Sequence, residues 1–229
     1  MELATLLRPL LAVSVALCAA LLFDGKALRF INRSPAAGEN TRGPHPDVTA
    51  VLLNWVRLPN VVQIVSVLCG EQLDDVLKEI VVWNNNYMRP LVYDDFVDSN
   101  CSSSKLQIYN SPENLYFQAR FIACANASTT YCFIQDDDYL VNPEIIHSLR
   151  ARIASSDIFL LPPDESLSSH LLSINSPSTN ITFGFSWLGY GSLILRRNAE
   201  SFLELLERIG ASVDEKKMAD NYYSILRNR

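Results

Sequence analysis

Asp136, Asp137 and Asp138 follow one another directly after the apolar run Tyr131-Cys132-Phe133-Ile134 and just ahead of Tyr139-Leu140. Three adjacent carboxylates at the end of a buried strand repel one another, and burial disfavours their ionised form. A bound divalent cation removes both costs. Hard cations such as Mg²⁺ and Mn²⁺ take oxygen ligands, use one or two protein carboxylates, and fill the rest of their shell with water and substrate phosphate. In an α/β sheet the ligand crevice also lies just beyond the carboxyl ends of the strands. The triplet therefore points to a metal-assisted site on an α/β scaffold, against the alternative of a solvated acidic turn.

A chain of 229 residues, 48% hydrophobic and 19% charged, amounts to one globular domain with something added. The addition is N-terminal. Leu10 to Phe23 carries no charge, and Arg8 and Pro9 separate it from the earlier apolar stretch Leu3 to Leu7. No pair of small residues follows that would mark a cleavage site, so a retained single-pass anchor is expected, with a cleaved signal and secretion as the alternative. Lys26, Arg29 and Arg33 lie after the run and only Arg8 before it, a bias that would hold the body in the cytosol. Four Asn-x-Ser/Thr sequons, at Asn32, Asn100, Asn126 and Asn180, argue the opposite and favour a lumenal body in the ER or Golgi. Of five cysteines, Cys18 falls in the apolar run, which leaves Cys69, Cys101, Cys124 and Cys132 as an even set, either paired or buried as thiols. A net charge of -6 argues against a nucleic-acid partner.

Residues 1–33 are thus read as anchor and flank. Residues 34–47, with Pro35, Gly38, Gly43, Pro44 and Pro46, read as a stem, and 48–229 as the body. Val48 to Leu53 opens the body as a buried strand, and a helical pattern runs from Pro59 through Leu68. Strands follow at Ile80–Trp83, halted by Asn84-Asn85-Asn86, and at Leu106–Tyr109, halted by Asn110. Ser111-Pro112-Glu113 reads as a helix start, and predicts a helix to about Ala127. Tyr131–Ile134 is the strand that delivers the acidic triplet. A helix from Pro143 to about Ser155 and a strand at Ile158–Leu161 continue an alternation that predicts an α/β fold, its mostly parallel central sheet flanked by helices. Ser166 to Thr179 reads as a surface loop. Phe183 to Gly191 interleaves glycines with aromatics, a pattern suited to close ligand approach and sugar or base stacking, or else to an ordinary strand and turn. Helices are expected at Ala199–Ile209 and from Asp214 to about Leu226.

Four blocks, Val51-Leu52-Leu53-Asn54-Trp55-Val56-Arg57, Val81-Val82-Trp83-Asn84-Asn85, Tyr131 to Asp138, and Met218-Ala219-Asp220-Asn221-Tyr222, together resemble the C-terminal glycosyltransferase domain of the exostosin family. That resemblance implies a GT-A-like fold, a UDP-sugar donor (N-acetylhexosamine in that family), a glycan or glycoconjugate acceptor, and Mn²⁺ or Mg²⁺. It implies Arg57 near the donor phosphates, Asn84 at the uracil or ribose, and Asn114 with Arg120 as a donor-binding pair on one helix. Asp136 and Asp137 would meet ribose and sugar hydroxyls, and Asp138, with Asp136 beside it, would hold the metal. The family's late acidic pair is replaced here by Lys216 and Lys217. Asp220, one turn further on, is the first substitute for the catalytic carboxylate and Glu215 the second. The chain ends soon after, at Leu226–Arg229, so a domain shortened on its acceptor side is expected. The alternatives are a catalytically silent lumenal binding relative and, from the carboxylates alone, a metal-dependent phosphohydrolase.

Overall fold

Strand β1 (Val48–Asn54) is buried along all of its length, as a near-continuous apolar run in the middle of a sheet should be. In this computed structural model, residues 45–155, 158–160, 173–176, 181–184 and 188–227 are described. The expected anchor, the stem as far as residue 44, and the sequons at Asn32 and Asn180 lie outside them. Among the described residues no helix is long and apolar enough to cross a membrane. Asp47, at the end of the expected stem, is tied into the body: its carboxylate takes the Arg150 guanidinium, with Nε to Oδ1 at 2.7 Å.

After β1 come α1 (Leu58–Leu68), β2 (Leu77–Asn84), β3 (Leu106–Asn110), α2 (Gln118–Ala125), β4 (Tyr131–Gln135), α3 (Pro143–Arg152) and β5 (Ile158–Leu160). They are followed by β6 (Ser173–Ser176), β7 (Ile181–Gly184), β8 (Ser192–Leu195), α4 (Arg196–Arg208), α5 (Val213–Lys217) and α6 (Ala219–Arg227). The main sheet runs β3-β2-β1-β4-β8-β5, with β6 and β7 as a separate antiparallel pair. Parallel pairing joins β3, β2, β1 and β4, while β8 runs antiparallel to both of its neighbours. The mostly parallel α/β reading therefore holds, with one reversed strand.

Alternation along the strands divides the core between two faces. Ala50, Leu52, Ile80, Val82 and Phe133 pack with Val61, Val65 and Leu68 of α1 and Ile146 and Leu149 of α3. Val51, Leu53, Trp83 and Ile134 pack with α2, α4 and α6 on the other face. There Phe121, Phe202 and Tyr223 form a ring cluster with centroids 4.7–5.1 Å apart. Disulfides join Cys69 to Cys101 and Cys124 to Cys132, the second clamping α2 to β4.

Three local expectations need correction. Ser111-Pro112-Glu113 does not start a helix, and α2 begins only at Gln118. Asparagine side chains take the backbone of that stretch instead: Asn114 Oδ1 accepts from Tyr116 N at 2.8 Å, Asn85 Oδ1 accepts from Leu115 N at 3.2 Å, and Tyr116 turns to φ 49°. The single helix expected from Asp214 is two, parted at Met218. The surface loop expected over Ser166–Thr179 includes β6, which pairs with β7. Strand β8 was not anticipated, because four residues behind a glycine turn carry too little pattern.

At the amino end of the sheet, Glu79 is 6% exposed and accepts from Thr49 Oγ1 (2.6 Å), Gln107 Nε2 (2.8 Å) and Ser128 N (2.9 Å). Burial pushes its carboxyl up, but the bonds from Thr49 and Ser128, helped by Lys78, outweigh that and leave it below the usual range. A carboxyl lowered in the folded state stabilises it above its unfolded value, and that contribution is lost as pH falls through the folded value. Glu79→Ala should therefore cost about 2–3 kcal/mol in urea unfolding at neutral pH. Glu79→Gln should show a shallower loss of stability than the wild type as the pH is lowered through the carboxylate range.

Candidate active site at the carboxyl edge of the sheet

From β1 the chain runs outward to β2 and β3, then crosses to β4 on the other side of β1. Such a reversal opens a crevice past the carboxyl ends of the two strands. Arg57 stands just beyond β1 and Asp136–Asp138 directly beyond β4, and they meet across it. Arg57 Nη1 donates to Asp137 Oδ1 at 3.0 Å and to Asp138 Oδ2 at 2.9 Å. Asn60 Nδ2, from the first turn of α1, holds the Asp137 carbonyl at 2.9 Å. The Asp137 side chain is 13% exposed and that of Asp138 57%. Burial raises the Asp137 carboxyl, Arg57 pulls it back, and the neighbouring Asp138 and Asp136 add to the rise.

Behind the triplet, α2 delivers Arg120, whose side chain is wholly buried. Its guanidinium forks, with Nη2 on Asp136 Oδ1 and Nη1 on Asp220 Oδ2, both at 2.6 Å, and it lies 5.0 Å from the centre of the Phe117 ring. Asp220 is 1% exposed, on the first turn of α6. Burial pushes its carboxyl up to about 6, with Arg120 holding it below what burial alone would give and Asp136 adding to the rise. The guanidinium thus sits between two carboxylates, one of them wholly buried.

The turn before β8 closes the arrangement. Asp136 N donates to Gly189 O at 2.8 Å. A Cβ on Gly189 would stand 1.8 Å from Asp136 Oδ2 and 2.3 Å from its Cγ, so only glycine leaves room for the carboxylate. The result is a cavity of about 240 Å³ lined by Phe117, Asp136, Asp138, Gly189, Tyr190 and Asp220. Tyr190 meets Tyr139 edge to face, with centroids 5.3 Å apart. Three carboxylates and aromatic rings on one small cavity suit a polyhydroxylated or phosphorylated ligand.

Among the described residues, no group of three or more His, Cys, Asp and Glu side chains is arranged to hold a metal. A cation of the Mg²⁺ type does not need one, because it takes one or two carboxylates and completes its shell with water and phosphate. Asp138 fits that role: it is the most exposed acid of the triplet, and it opens on the cavity. Asp136 fits less well, since one oxygen is committed to Arg120 and the other lies against Gly189.

The structure thus gathers Arg57, Arg120, Asp136, Asp137, Asp138 and Asp220 at one edge. Asn84 is corrected: it is fully buried, its amide donating to Arg89 O (2.8 Å) and Asn110 Oδ1 (2.9 Å) and accepting from Asn54 Nδ2 (2.8 Å). It braces the ends of three strands and presents no free edge to a base. Asn114 does not share a helix with Arg120; it lies in the turn before α2, capping Tyr116 N. Glu215 is also corrected. It is exposed and closes a capping box with Ser212, whose backbone and side-chain bonds lower its carboxyl. Lys216 and Lys217 pair with Glu207 (2.6 Å) and Asp214 (2.8 Å), so neither is turned on the cavity. Phe117 is a lining residue that the sequence did not single out; the signal was an aromatic one turn before a buried arginine.

No protein-family model and no curated protein sequence matches this chain. Solved structures do match in fold. TarS residues 1–349 of S. aureus in complex with UDP is 13% identical, with a TM-score of 0.51 over 80% of this chain and 55% of that one. The mannosyltransferase PcManGT of Pyrobaculum calidifontis, in complex with GDP-Man and Mn²⁺, is 16% identical, with a TM-score of 0.49 over 95% of this chain and 64% of that one. The chain spans little more than half the length of the TarS structure. The fold is GT-A-like.

The contact between Gly189 and Asp136 makes a coupled prediction. Gly189→Ala should lower stability by about 1–3 kcal/mol, because the new methyl drives Asp136 off Arg120. In an Asp136→Ala background the same change should cost less than about 0.5 kcal/mol, the limit for uncoupled sites. Urea unfolding of the four proteins measures the coupling directly.

Proposed function

We propose that this protein is a glycosyltransferase that takes its sugar from a UDP-sugar at the cavity beside Asp138, with the help of Mn²⁺ or Mg²⁺. The observation that carries the reading is the cavity itself: at the carboxyl edge of a GT-A-like sheet it brings together Asp138, the most exposed acid of the triplet, and the rings of Phe117 and Tyr190, with Arg57 bound to Asp138 beside it. The UDP held by the TarS structure, which shares the fold, supports the choice of nucleotide. The four exostosin-like blocks support N-acetylhexosamine as the sugar and a glycan or glycoconjugate as acceptor. That sugar and its acceptor are the finer part of the proposal.

In this reading Asp138 holds the cation. A divalent cation there supplies Lewis-acid stabilisation of the departing diphosphate. Arg57 binds the diphosphate from the β1 side. Asp136 and Asp137 accept from ribose or sugar hydroxyls. Arg120 holds Asp136 and Asp220 in place. Asp220 faces the reacting sugar carbon as an anion, where it stabilises positive charge developing in the transition state. Tyr190 and Tyr139 offer ring faces to a sugar.

We also propose that the body lies in the lumen of the ER or Golgi, behind a type II anchor formed by the apolar run Leu10–Phe23. Two disulfides support an oxidising compartment, and Asn100 and Asn126 are exposed sequons. The second reading is a binding relative without turnover. It is favoured by the lysines that replace the family's acidic pair, and by the tight hold of Arg120 on Asp220.

Calorimetry with UDP, in Mn²⁺ and then in EDTA, tests the site. Binding should require the metal and be lost in Asp138→Ala; equal affinity in EDTA contradicts the proposal. Asp220→Asn should keep UDP affinity and lower UDP-sugar turnover by about 100-fold or more. If the wild type binds UDP·Mn²⁺ but turns over no UDP-sugar, the binding relative is the better account.

A further inference from the structure

Resting on the UDP and metal reading, we infer that Arg57 is an internal counter-ion that occupies the cation position at Asp138, and that the incoming metal displaces it onto the donor phosphates. Arg57 pairs with Asp138, the acid placed to hold a cation, and with its neighbour Asp137. One guanidinium nitrogen, Nη1, reaches both, at 3.0 Å and 2.9 Å. The Asp138 carboxylate, which lines the cavity, is therefore already matched to a positive charge through Oδ2. A dication and a guanidinium cannot both sit within contact of that carboxylate without strong repulsion.

The other charges at the site limit where Arg57 can go. Asp136 and Asp220 are committed to Arg120, which is buried and fixed. Among the described side chains around the cavity, Arg57 is the cation placed to move: its side chain is 51% exposed and springs from the segment between β1 and α1. The triplet backbone would not follow it, because Asn60 Nδ2 holds the Asp137 carbonyl and Gly189 O holds Asp136 N. An arginine freed from Asp138 beside a metal-bound diphosphate finds a better partner in the phosphate oxygens, which it can take in a forked geometry. Metal and nucleotide are then linked through one side chain: the cation gives up some affinity to expel Arg57, and the diphosphate recovers it by capturing Arg57.

This mechanism gives Arg57 effects of opposite sign on two ligands. The test is calorimetric titration of the folded wild type, Arg57→Ala and Arg57→Lys with Mn²⁺ alone, then with UDP at saturating Mn²⁺. Arg57→Ala should bind Mn²⁺ alone about two- to fivefold more tightly, the range set by loss of an exposed ion pair. It should bind UDP·Mn²⁺ about tenfold or more weakly, through loss of a charge-assisted bond. Arg57→Lys keeps the charge and should stay near the wild type for Mn²⁺ alone, while recovering part of the UDP affinity. If Arg57→Ala weakens both ligands, or leaves Mn²⁺ affinity unchanged, the counter-ion role is wrong while the UDP site stands. If the wild type binds no UDP with Mn²⁺ present, the functional reading fails and this inference falls with it.

Discussion

The Arg120 fork is the interaction on which the candidate site depends. A guanidinium stays charged at any pH the protein meets, so burying it completely obliges the fold to bring carboxylates to it. Here they come from two places far apart in the chain, Asp136 at the end of β4 and Asp220 at the start of α6, each 2.6 Å away. The strand, α2 and α6 are therefore fixed relative to one another at the point where the cavity opens. The ring cluster of Phe121, Phe202 and Tyr223 does the same for α2, α4 and α6 with apolar contact. The Cys124–Cys132 bridge ties α2 to β4 covalently. Removing either acid would leave a buried charge without its partner, which typically costs about 3–5 kcal/mol.

This arrangement sorts the carboxylates by what remains available to a ligand. Asp136 and Asp220 share Arg120 and keep their places because Gly189 leaves room for one and α6 buries the other. Asp137 is largely enclosed and held at its carbonyl by Asn60. Asp138 is left at the rim. An acidic triplet thus behaves as three different groups: Asp136 tied to Arg120, Asp137 enclosed against Arg57, and Asp138 at the rim sharing that same arginine. In the proposed function that sorting lets a single exposed acid carry the metal while its neighbours meet hydroxyls.

Much of the scaffold was legible in the sequence. β1, β2 and β4 each carry a largely apolar run, β3 a shorter one interrupted by Gln107, and all four give way to asparagine or aspartate at the carboxyl end, so both the sheet and its ligand edge could be read. The Arg57, Arg120, Asp136 and Asp220 constellation was also reachable, because a motif resemblance marks positions in sequence even where it cannot say which groups touch. What could not be read was competition between local and distant partners. Asn84 looks like a ligand-facing strand end, but its amide is consumed by Arg89, Asn110 and Asn54 from other segments. Ser111-Pro112-Glu113 has a helix-start pattern, and asparagine side chains won the backbone of that turn. Glu215 sits close to the lysines in sequence, yet the capping box with Ser212 turns it to solvent. β8 escaped because its reversed direction and its place beside β4 depend on pairing, not on its own four residues.

The most direct measurement is a crystal structure of the protein soaked with Mn²⁺ and UDP, with anomalous data collected for manganese. The account predicts one strong anomalous peak against the Asp138 carboxylate, with the diphosphate between it and Arg57 and the Arg120 fork unchanged. A nucleotide bound elsewhere, or a peak that leaves Asp138 untouched, would contradict it.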